Sequence, residues 1–580
     1  MAEHEHQTVA YLSMEICLEP HIPTYSGGLG ILAGDTLRSA ADMELPMVAV
    51  SLAHRKGYFR QHLDAQGQQS ETPESWCPDR LLEPAPARVT VEIERRTVHV
   101  RAWRYPVRGI GGHEVPVYLL DTDLPENEAW DRTLTDVLYG GDARYRLAQE
   151  IVLGMGGAAM LRALHIEENV HYHINEGHAA LLMLTLLDRQ LAGRDPATAT
   201  EADLDTVRQQ CLFTTHTPVP AGHDRFPEPQ VVAVLGQHYV TLMNATRCCD
   251  DDGSLNMTYL ALRLARYVNG VAMRHGEVSR EMFPAHAIGA VTNGVHAVTW
   301  TSPSFQALFD RHMPEWRRDN LYLRYAIAIP VDEIRAAHAM AKQEMIDEVE
   351  RRSGVRLDPA VMTIGFARRA TPYKRANLIF SDPERLRSIV RSTGPLQMVY
   401  GGKAHPQDEG GKALIRQIVQ AAHELEDAVR VVYLENYEMD LALKLTSGVD
   451  LWLNNPRKPL EASGTSGMKA ALNGVPSCSV LDGWWIEGHI EGITGWAIGG
   501  TGHDQSDEDG EANDLYVKLE HVILPLFYGL PPAFAEVMRY AIALNGSFFN
   551  TQRMVAQYVR NAYFPVPDES AAAREAAVGA

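Results

Sequence analysis

Cysteine is scarce in this chain, and a membrane-length apolar run is missing. The 580 residues include six cysteines, none in C-x-x-C spacing, which argues against a disulfide framework and favours reduced thiols. No apolar run approaches the roughly 20 residues that a membrane helix needs, and the polar first residues do not resemble a secretory signal. The sequence therefore predicts a cytoplasmic protein that does not enter a membrane.

Positive charge is also in short supply. The chain has 53 Lys and Arg against 74 Asp and Glu, which gives a net charge of −21. This balance argues against a nucleic-acid partner, because nucleic acids are bound mainly by basic groups. A site that uses phosphate would need its own local cluster of cations. A chain of this length is too long to fold around one hydrophobic core, so we expect at least two large domains.

The most distinctive stretch runs from Pro459 to Asn473 and reads P-L-E-A-S-G-T-S-G-M-K-A-A-L-N. This pattern predicts a turn that leads into a helix, where glycines allow close approach of the backbone and unpaired N–H groups suit an anion. Lys469, at its end, could pair with that anion or form a Schiff base with an aldehyde cofactor. The alternative is a capping loop whose lysine faces water.

In the first half, Val9 to Cys17 predicts a buried strand. The glycine-rich run from Tyr25 to Asp35 then opens a helix, so it is either an anion-binding loop or a plain turn. The strand Gln210–Thr215 leads to a loop with two prolines and two histidines, His216 to His223. Such a loop favours a binding site, although the two histidines could simply cap it.

Three histidines lie close together between His171 and His178. Their spacing could suggest a metal site, but no acidic or thiol cluster accompanies them. The alternation H-Y-H-I instead predicts the end of a strand, with Asn175 capping a helix through Asp188. We therefore predict no metal site.

The second half alternates apolar strands with helical segments, which predicts a parallel, Rossmann-like sheet with ligands at the carboxyl ends of its strands. The predicted strands are Val361–Phe366, Leu396–Tyr400, Val429–Leu434 and Leu451–Leu453. A run of cations, Ala367 to Arg375, follows the first of them. It is either the phosphate clamp that an acidic chain would need or a solvated charge run.

Three further segments give weaker predictions. Asp188–Asp205 is expected to be an exposed connection, Asp504–Asp514 a flexible acidic loop, and Glu569–Ala580 a frayed helix. None of them has a pattern typical of a catalytic site.

The segment Glu461–Lys469, E-A-S-G-T-S-G-M-K, resembles the pyridoxal-phosphate segment of the α-glucan phosphorylases. Other motifs match the same family, and the resemblance spans about Val9 to Trp485: Y-L-S-M-E, S-G-G-L-G, N-E-G-H, T-N-G-V, Y-K-R and V-L-D-G-W-W. It implies an α/β fold with two Rossmann-like domains that face a cleft, the GT-B architecture. We place these domains at residues 1–293 and 294–580.

The resemblance also implies a reaction: phosphate releases glucose 1-phosphate from the ends of an α-1,4-glucan or maltodextrin, with retained configuration and with pyridoxal 5′-phosphate as the proton shuttle. The catalytic residues it implies are Lys469, Arg369 and Lys374. The cofactor-binding residues it implies are Lys469, Gly27, Gly28, Arg368, Thr465, Trp300 and Tyr437. The sugar-binding residues it implies are Asn293, His216, Tyr373, Glu461, Ser463 and Gly464. A homodimer is left open.

The sequence departs from the family at three places. Ala-Thr-Pro separates Arg369 from Tyr373, Glu438 stands where the animal enzymes have an arginine, and the chain begins close to its first strand, without the regulatory arm of the animal enzymes. We expect these differences to affect acceptor size and regulation rather than the type of reaction.

Two other functions stay open at this point. A nucleotide-sugar glycosyltransferase of the same architecture would also use an Arg/Lys pair, but the Lys469 segment argues against it. A catalytically silent carbohydrate-binding relative is disfavoured by the joint presence of Arg369, Lys374 and Lys469.

Overall fold

The structure is a computed structural model that describes residues 7–219, 222–500 and 507–565. The predicted frayed helix Glu569–Ala580 lies outside these ranges, and so does the first part of the predicted acidic loop. Buried apolar segments form strands throughout the described residues. The strands are β1 Thr8–Ser13, β2 Met47–Leu52, β3 Arg60–Leu63, β4 Gln69–Thr72, β5 Glu83–Ile93, β6 Arg96–Arg108, β7 Glu114–Asp121, β8 Val170–Asn175, β9 Cys211–Thr214, β10 Arg225–Phe226, β11 Leu255–Asn256, β12 Tyr267–Gly270, β13 Gly289–Ala290, β14 Met362–Ala367, β15 Leu396–Gly401, β16 Val429–Leu434, β17 Leu451–Asn454, β18 Ser477–Val480 and β19 Gly495–Ile498.

Two large sheets organise these strands. The first has nine strands in the order β13-β12-β9-β8-β1-β2-β7-β6-β5; β13 through β7 run parallel, and β6 and β5 are antiparallel additions at one edge. The second has six parallel strands in the order β16-β15-β14-β17-β18-β19. The α/β fold with parallel sheets is thus confirmed.

Helices connect the parallel strands, as crossover connections require. The α-helices are α1 Gly28–Asp42, α2 Ala143–Ile151, α3 Gly157–Ala163, α4 Leu181–Leu191, α5 Glu201–Arg208, α6 Glu228–Leu235, α7 Gln237–Thr246, α8 Met257–Leu264, α9 Met273–Met282, α10 Ala297–Trp300, α11 Pro303–His312, α12 Val331–Ser353, α13 Pro383–Thr393, α14 Glu409–Glu424, α15 Met439–Gly448, α16 Ser466–Leu472, α17 Trp485–Gly488, α18 Glu508–Lys518, α19 Leu524–Gly529, α20 Pro531–Tyr540 and α21 Thr551–Tyr558.

Three local predictions were wrong. The segment Asp188–Asp205 is not only a connection, because Thr200 and Asp203 form a capping box that starts α5. The predicted acidic loop becomes helical from Glu508, where Asp507 caps α18 by accepting from Gly510 N. Asn175 does not cap the helix that follows β8, since the carboxylate of Glu176 accepts from Gly177 N instead.

The chain returns to the first sheet near its C-terminal end. Met554, Val555, Tyr558 and Tyr563 are buried in one apolar cluster with Tyr11 of β1 and other side chains of that sheet. The division of domains after residue 293 stays a prediction, and this returning segment packs on the other side of it.

A hairpin of β3 and β4 bridges the two halves of the chain. Gln61 N donates to Asn436 Oδ1 over 2.7 Å, and Asn436 N donates to Gln61 Oε1 over 3.0 Å. Gln69 Nε2 donates to the carbonyl of Ala404 over 2.9 Å. These contacts fix the loops after β15 and β16 against the first half of the chain.

The lengths and hydropathies of the described helices bear on membrane insertion. No single helix among them is long and apolar enough to cross a membrane, although one bent pair of helices, Glu508–Gly529 with Pro531–Gly546, passes by length and composition alone.

Candidate active site

The glycine loop lies between β1 and α1, at the carboxyl end of a central strand. A Cβ atom built on Gly27 or Gly28 would meet no atom within 4 Å, whereas one on Gly34 would lie 2.0 Å from the carbonyl oxygen of Cys17. Gly27 and Gly28 therefore border open space, and Gly34 is required for close packing. Because the first N–H groups of a helix have no acceptor within it, the start of α1 offers donors to that space.

Lys469 lies inside the protein, near the middle of α16. Its side chain is buried, and its Nζ atom is 3.5 Å from the centre of the Trp300 ring. Burial lowers the pKa of Lys469 to about 8, against the opposing effects of Asp35 and Cys17. Among the described residues, no hydrogen bond uses this Nζ atom, so the amine is held by an aromatic face and left available for chemistry.

Trp300 is held from two sides. Its Nε1 atom donates to Asp35 Oδ2 of α1 over 2.7 Å. Asn473 Nδ2 donates to the carbonyls of Trp300 and Lys469, over 2.7 and 3.0 Å. Asp35 and Asn473 thus join the helix of the glycine loop to the helix of the lysine.

A carboxylate and two cations meet after β14. Glu461 Oε2 lies 2.8 Å from Arg368 Nη2 and forms an ion pair with Lys374 Nζ as well. Burial raises the pKa of Glu461, but Arg368 and Lys374 outweigh it and lower that pKa to about 2. Within the described part of the chain, Arg368 Nη1 is buried without a hydrogen-bond partner. Burial and Arg368 lower the pKa of Lys374 to about 7, against the opposing effect of Glu461. The group therefore sets two basic side chains and a free donor against one carboxylate, which suits an anion.

Arg369, the next residue along the chain after Arg368, is solvent-exposed. It forms no ion pair in the ranges that the structure covers. Desolvation opposes ionisation, but Tyr373, Tyr58 and Glu15 raise the pKa of Arg369 overall. The side chain is therefore a permanent cation with aromatic and acidic neighbours from both halves of the chain.

Asn293 follows β13 and is buried, and its Oδ1 atom has no hydrogen-bond partner among the described residues. Arg553 of α21 holds this segment, since its Nη1 and Nη2 atoms donate to the carbonyls of Thr292 and Asn293 over 2.7 and 2.9 Å. A buried acceptor without a partner is costly. The site therefore suits a ligand hydroxyl that donates to Asn293.

His216 lies on the loop after β9. Its Nε2 atom is 2.7 Å from Asn175 Oδ1, and its backbone N donates to Glu176 Oε2 over 2.7 Å. Burial and neighbouring histidines lower the pKa of His216 to about 3, so the ring is neutral at pH 7. The contacts of His216 are with Asn175 and Glu176, and not with the Lys374 group.

The remaining predicted residues line the same region. Gly464 would place a Cβ atom 3.3 Å from Glu461 Oε1, Ser463 is buried beside it, and Thr465 immediately precedes α16. The ring of Tyr373 lies under Lys374 Nζ at 4.5 Å. Tyr437 is the last of the residues that the resemblance implied, and the charge of Arg368 acts on its hydroxyl.

The β8 histidine His173 is hydrogen-bonded inside the fold. His173 is buried, with its two ring nitrogens 2.8 Å from Tyr563 Oη and from Thr214 Oγ1. Within the ranges described, no three His, Cys, Asp or Glu side chains converge as metal ligands.

Sequence reasoning missed several supporting residues. Glu15, Asp35, Asn473, Asp482 and Arg553 all contact residues of the site, yet none was assigned a role. Asp482 accepts from Glu461 N over 2.9 Å. Glu15 and Asp482 stood in the motifs Y-L-S-M-E and V-L-D-G-W-W, which could have indicated them, whereas Arg553 lies in no motif.

Comparison of the sequence with known proteins identifies the family of this chain. Residues 241–493 match the profile of the carbohydrate phosphorylases. The chain is 39% identical to the maltodextrin phosphorylase of Thermococcus litoralis, over 96% of this chain and 70% of that protein. It is 40% identical to the glycogen phosphorylase of Mycobacterium tuberculosis, over 96% and 71%. It is 34% identical to the glycogen phosphorylase of Aquifex aeolicus, over 97% and 87%.

Proposed function

The chain belongs to the carbohydrate phosphorylase family and is an α-glucan phosphorylase, and we propose that Lys469 carries its pyridoxal phosphate. This family uses that cofactor, and the residues present here fit it. Lys469 is a buried amine with a lowered pKa, Arg368 Nη1 is an unsatisfied donor, and Gly27 borders open space. Trp300, Thr465, Gly28 and Tyr437 complete the proposed cofactor site.

Pyridoxal phosphate, when bound, supplies a phosphate group that can give and take a proton. The chain's own residues would then bind and orient the reactants. Arg369 and Lys374 hold the substrate phosphate, assisted by the backbone of Gly28 at the start of α1. Preorganised cations of this kind are a large source of rate, because they need no rearrangement as charge develops.

The sugar is held on the other side of the reacting bond. Asn293 Oδ1 accepts from a glucose hydroxyl, which satisfies an acceptor that has no partner among the described residues. His216, Tyr373, Ser463 and Gly464 line the same glucose site. In phosphorolysis the bond from glucose C1 to the glucan oxygen breaks and a C1–phosphate bond forms, and the leaving oxygen takes the proton that the attacking phosphate loses overall.

Glu461 has a double role in this proposal. Without ligand, its carboxylate pairs with both Arg368 and Lys374. When phosphate groups bind these cations, the carboxylate is released to accept from a glucose hydroxyl. Binding of phosphate and of sugar would therefore depend on each other.

The observation that carries the proposal is the Lys469 amine against Trp300, on the helix that follows the Glu461 segment and its ion pairs with Arg368 and Lys374. Its test is the absorbance of the purified protein in the pyridoxal band, together with formation of glucose 1-phosphate from maltodextrin and phosphate. We expect both in the wild type and neither in Lys469→Arg. Glucose 1-phosphate formation by a protein without the cofactor would refute the assignment. A homodimer stays a prediction, which sedimentation velocity would test.

A further inference from the structure

Glu15 lies under the glycine loop, two residues after β1, and is almost fully buried. Its Oε2 atom accepts from the backbone N of Ser26 over 2.5 Å and from that of Gly27 over 3.2 Å. The hydroxyl of Ser26 lies 3.2 and 3.1 Å from the two carboxylate oxygens. Tyr139 Oη donates to Oε1 over 2.9 Å. One carboxylate therefore joins the glycine loop to the segment before α2.

The glycine loop packs closely against Glu15 at Gly30. A Cβ atom on Gly30 would lie 2.7 Å from Glu15 Oε2 and 2.6 Å from Tyr25 Cβ. On the opposite side, Gly27 and Gly28 face open space. Because Glu15 takes the N–H groups of Ser26 and Gly27, the donors left for a ligand are those at the start of α1.

Glu15 also acts electrostatically on the arginine that we assign to the substrate phosphate. Together with Tyr58, Tyr139 and Tyr373, it is within electrostatic range of Arg369. The carboxylate thus contacts the glycine loop directly and acts on Arg369 from the same position. A carboxylate suits this place because both of its oxygens only accept hydrogen bonds.

We propose that Glu15 is a positioning residue for the substrate phosphate: it holds the glycine loop so that the first N–H groups of α1 and the guanidinium of Arg369 face the same phosphate. This inference rests on the proposed function. Glu15 does not touch the substrate, and the glucan is bound by other residues. Its loss should therefore affect phosphate and glucose 1-phosphate more than it affects glucan.

The test is Glu15→Gln, whose amide group would present N–H to at least one of the donors that Glu15 now accepts from. We expect the KM for phosphate and for glucose 1-phosphate to rise about tenfold, with the KM for maltodextrin within about twofold and the cofactor content unchanged. Isothermal titration of inorganic phosphate into the holoenzyme should show the same weakening. Glu15→Asp, which keeps the charge, should recover part of the loss.

Glu19→Gln is the matched control, because Glu19 lies on the same segment and, among the side chains that the structure describes, accepts only from Tyr105 Oη, over 2.6 Å. It should leave all three KM values unchanged.

If Glu15→Gln does not fold, Tyr139→Phe removes one of the donors to Glu15 and should raise the phosphate KM about threefold. Unchanged phosphate KM and titration in a folded Glu15 variant, or an equal rise in the maltodextrin KM, would overturn the role of Glu15. Absence of phosphorolysis in the wild type would instead overturn the proposed function itself.

Discussion

Lys469 Nζ lies 3.5 Å from the centre of the Trp300 ring. The aromatic face favours the ammonium form, whereas burial favours the neutral amine, and burial dominates because the pKa of Lys469 falls to about 8. The two effects together hold the amine in one place and keep a reactive fraction of it neutral near physiological pH.

The first prediction concerns the pH dependence of cofactor loading. The neutral amine attacks an aldehyde, so a lowered pKa raises the reactive fraction: at pH 7 roughly one amine in ten is neutral for a pKa of about 8, against roughly one in three thousand for 10.5. We expect the rate of pyridoxal phosphate binding to cofactor-free protein to rise with pH and level off above about 8. Absorbance in the pyridoxal band measures it. A rate that climbs to pH 10, as for free Nα-acetyl-lysine, would contradict the burial of this amine.

The second prediction isolates the contribution of the Trp300 ring. Trp300→Phe keeps an aromatic face but loses the hydrogen bond to Asp35, whereas Trp300→Leu loses both. A desolvated cation–π contact contributes about 1–2 kcal/mol to the ammonium form, or roughly one pKa unit. The midpoint of the loading curve should therefore be about one pH unit lower in Trp300→Leu than in Trp300→Phe. Equal midpoints in the two variants would mean that the ring does not act on the charge.

The third prediction assigns Lys374 to the substrate phosphate. Removing a charge-assisted contact that strengthens in the transition state costs about 2–4 kcal/mol, which corresponds to roughly 30- to 900-fold in kcat/KM. Lys374→Ala should lose this much in phosphorolysis and in synthesis alike, while the cofactor stays bound. Steady-state kinetics in both directions, with the pyridoxal absorbance, measures it.

Lys444→Ala is the control for that variant. Lys444 lies on α15 in the same half of the chain, and its partly exposed side chain pairs with Glu348 over 2.9 Å. An exposed ion pair contributes little, so its loss should change kcat/KM by less than about twofold. Near-normal phosphate kinetics in Lys374→Ala would show that this lysine serves only to neutralise Glu461.

Strand positions could be predicted well where the apolar run was short and bounded by turns. Val429–Leu434 has the bounds that the sequence indicated, and Leu396–Tyr400 ends one residue before β15 does. The predicted Asn175 cap was wrong because Glu176 adopts a positive φ of 67°. A non-glycine residue rarely adopts such an angle, and no local sequence pattern predicts it here. The cap of α18 by Asp507 was missed because acidic residues with glycine are as typical of loops as of helix starts.

The site was predictable only in part, for a different reason. Motif residues such as Lys469, Arg368 and Glu461 could be named because each lies within a short contiguous motif. Their supports come from far along the chain: Asp35 reaches Trp300, 265 residues away, and Arg553 reaches Asn293, 260 residues away. Such contacts depend on the tertiary fold, which neither periodicity nor spacing specifies.

Arg553 is the support whose role can be tested most directly. Its Nε, Nη1 and Nη2 atoms donate to the carbonyls of Phe548, Thr292 and Asn293 over 2.8, 2.7 and 2.9 Å. Desolvation lowers the pKa of Arg553 to about 10, so the guanidinium is charged at pH 7 and all three bonds are charge-assisted. The segment that carries the orphan Oδ1 of Asn293 is thus fixed by a side chain from the last described helix.

The last prediction follows from this geometry. Arg553→Met keeps most of the volume and leaves three carbonyls without these donors, which should lower the free energy of unfolding by about 2–4 kcal/mol. Since Asn293 is assigned to the sugar and not to the phosphate, the KM for maltodextrin should rise about tenfold while the KM for phosphate stays within about twofold. Arg560, which follows α21, is exposed. Arg560→Met should change neither the free energy of unfolding nor the KM for maltodextrin. If Arg553→Met is less stable but its KM for maltodextrin is unchanged, Arg553 stabilises the packing of the 292–293 segment without contributing to sugar binding. That outcome would contradict a role for Arg553 in the function of the site.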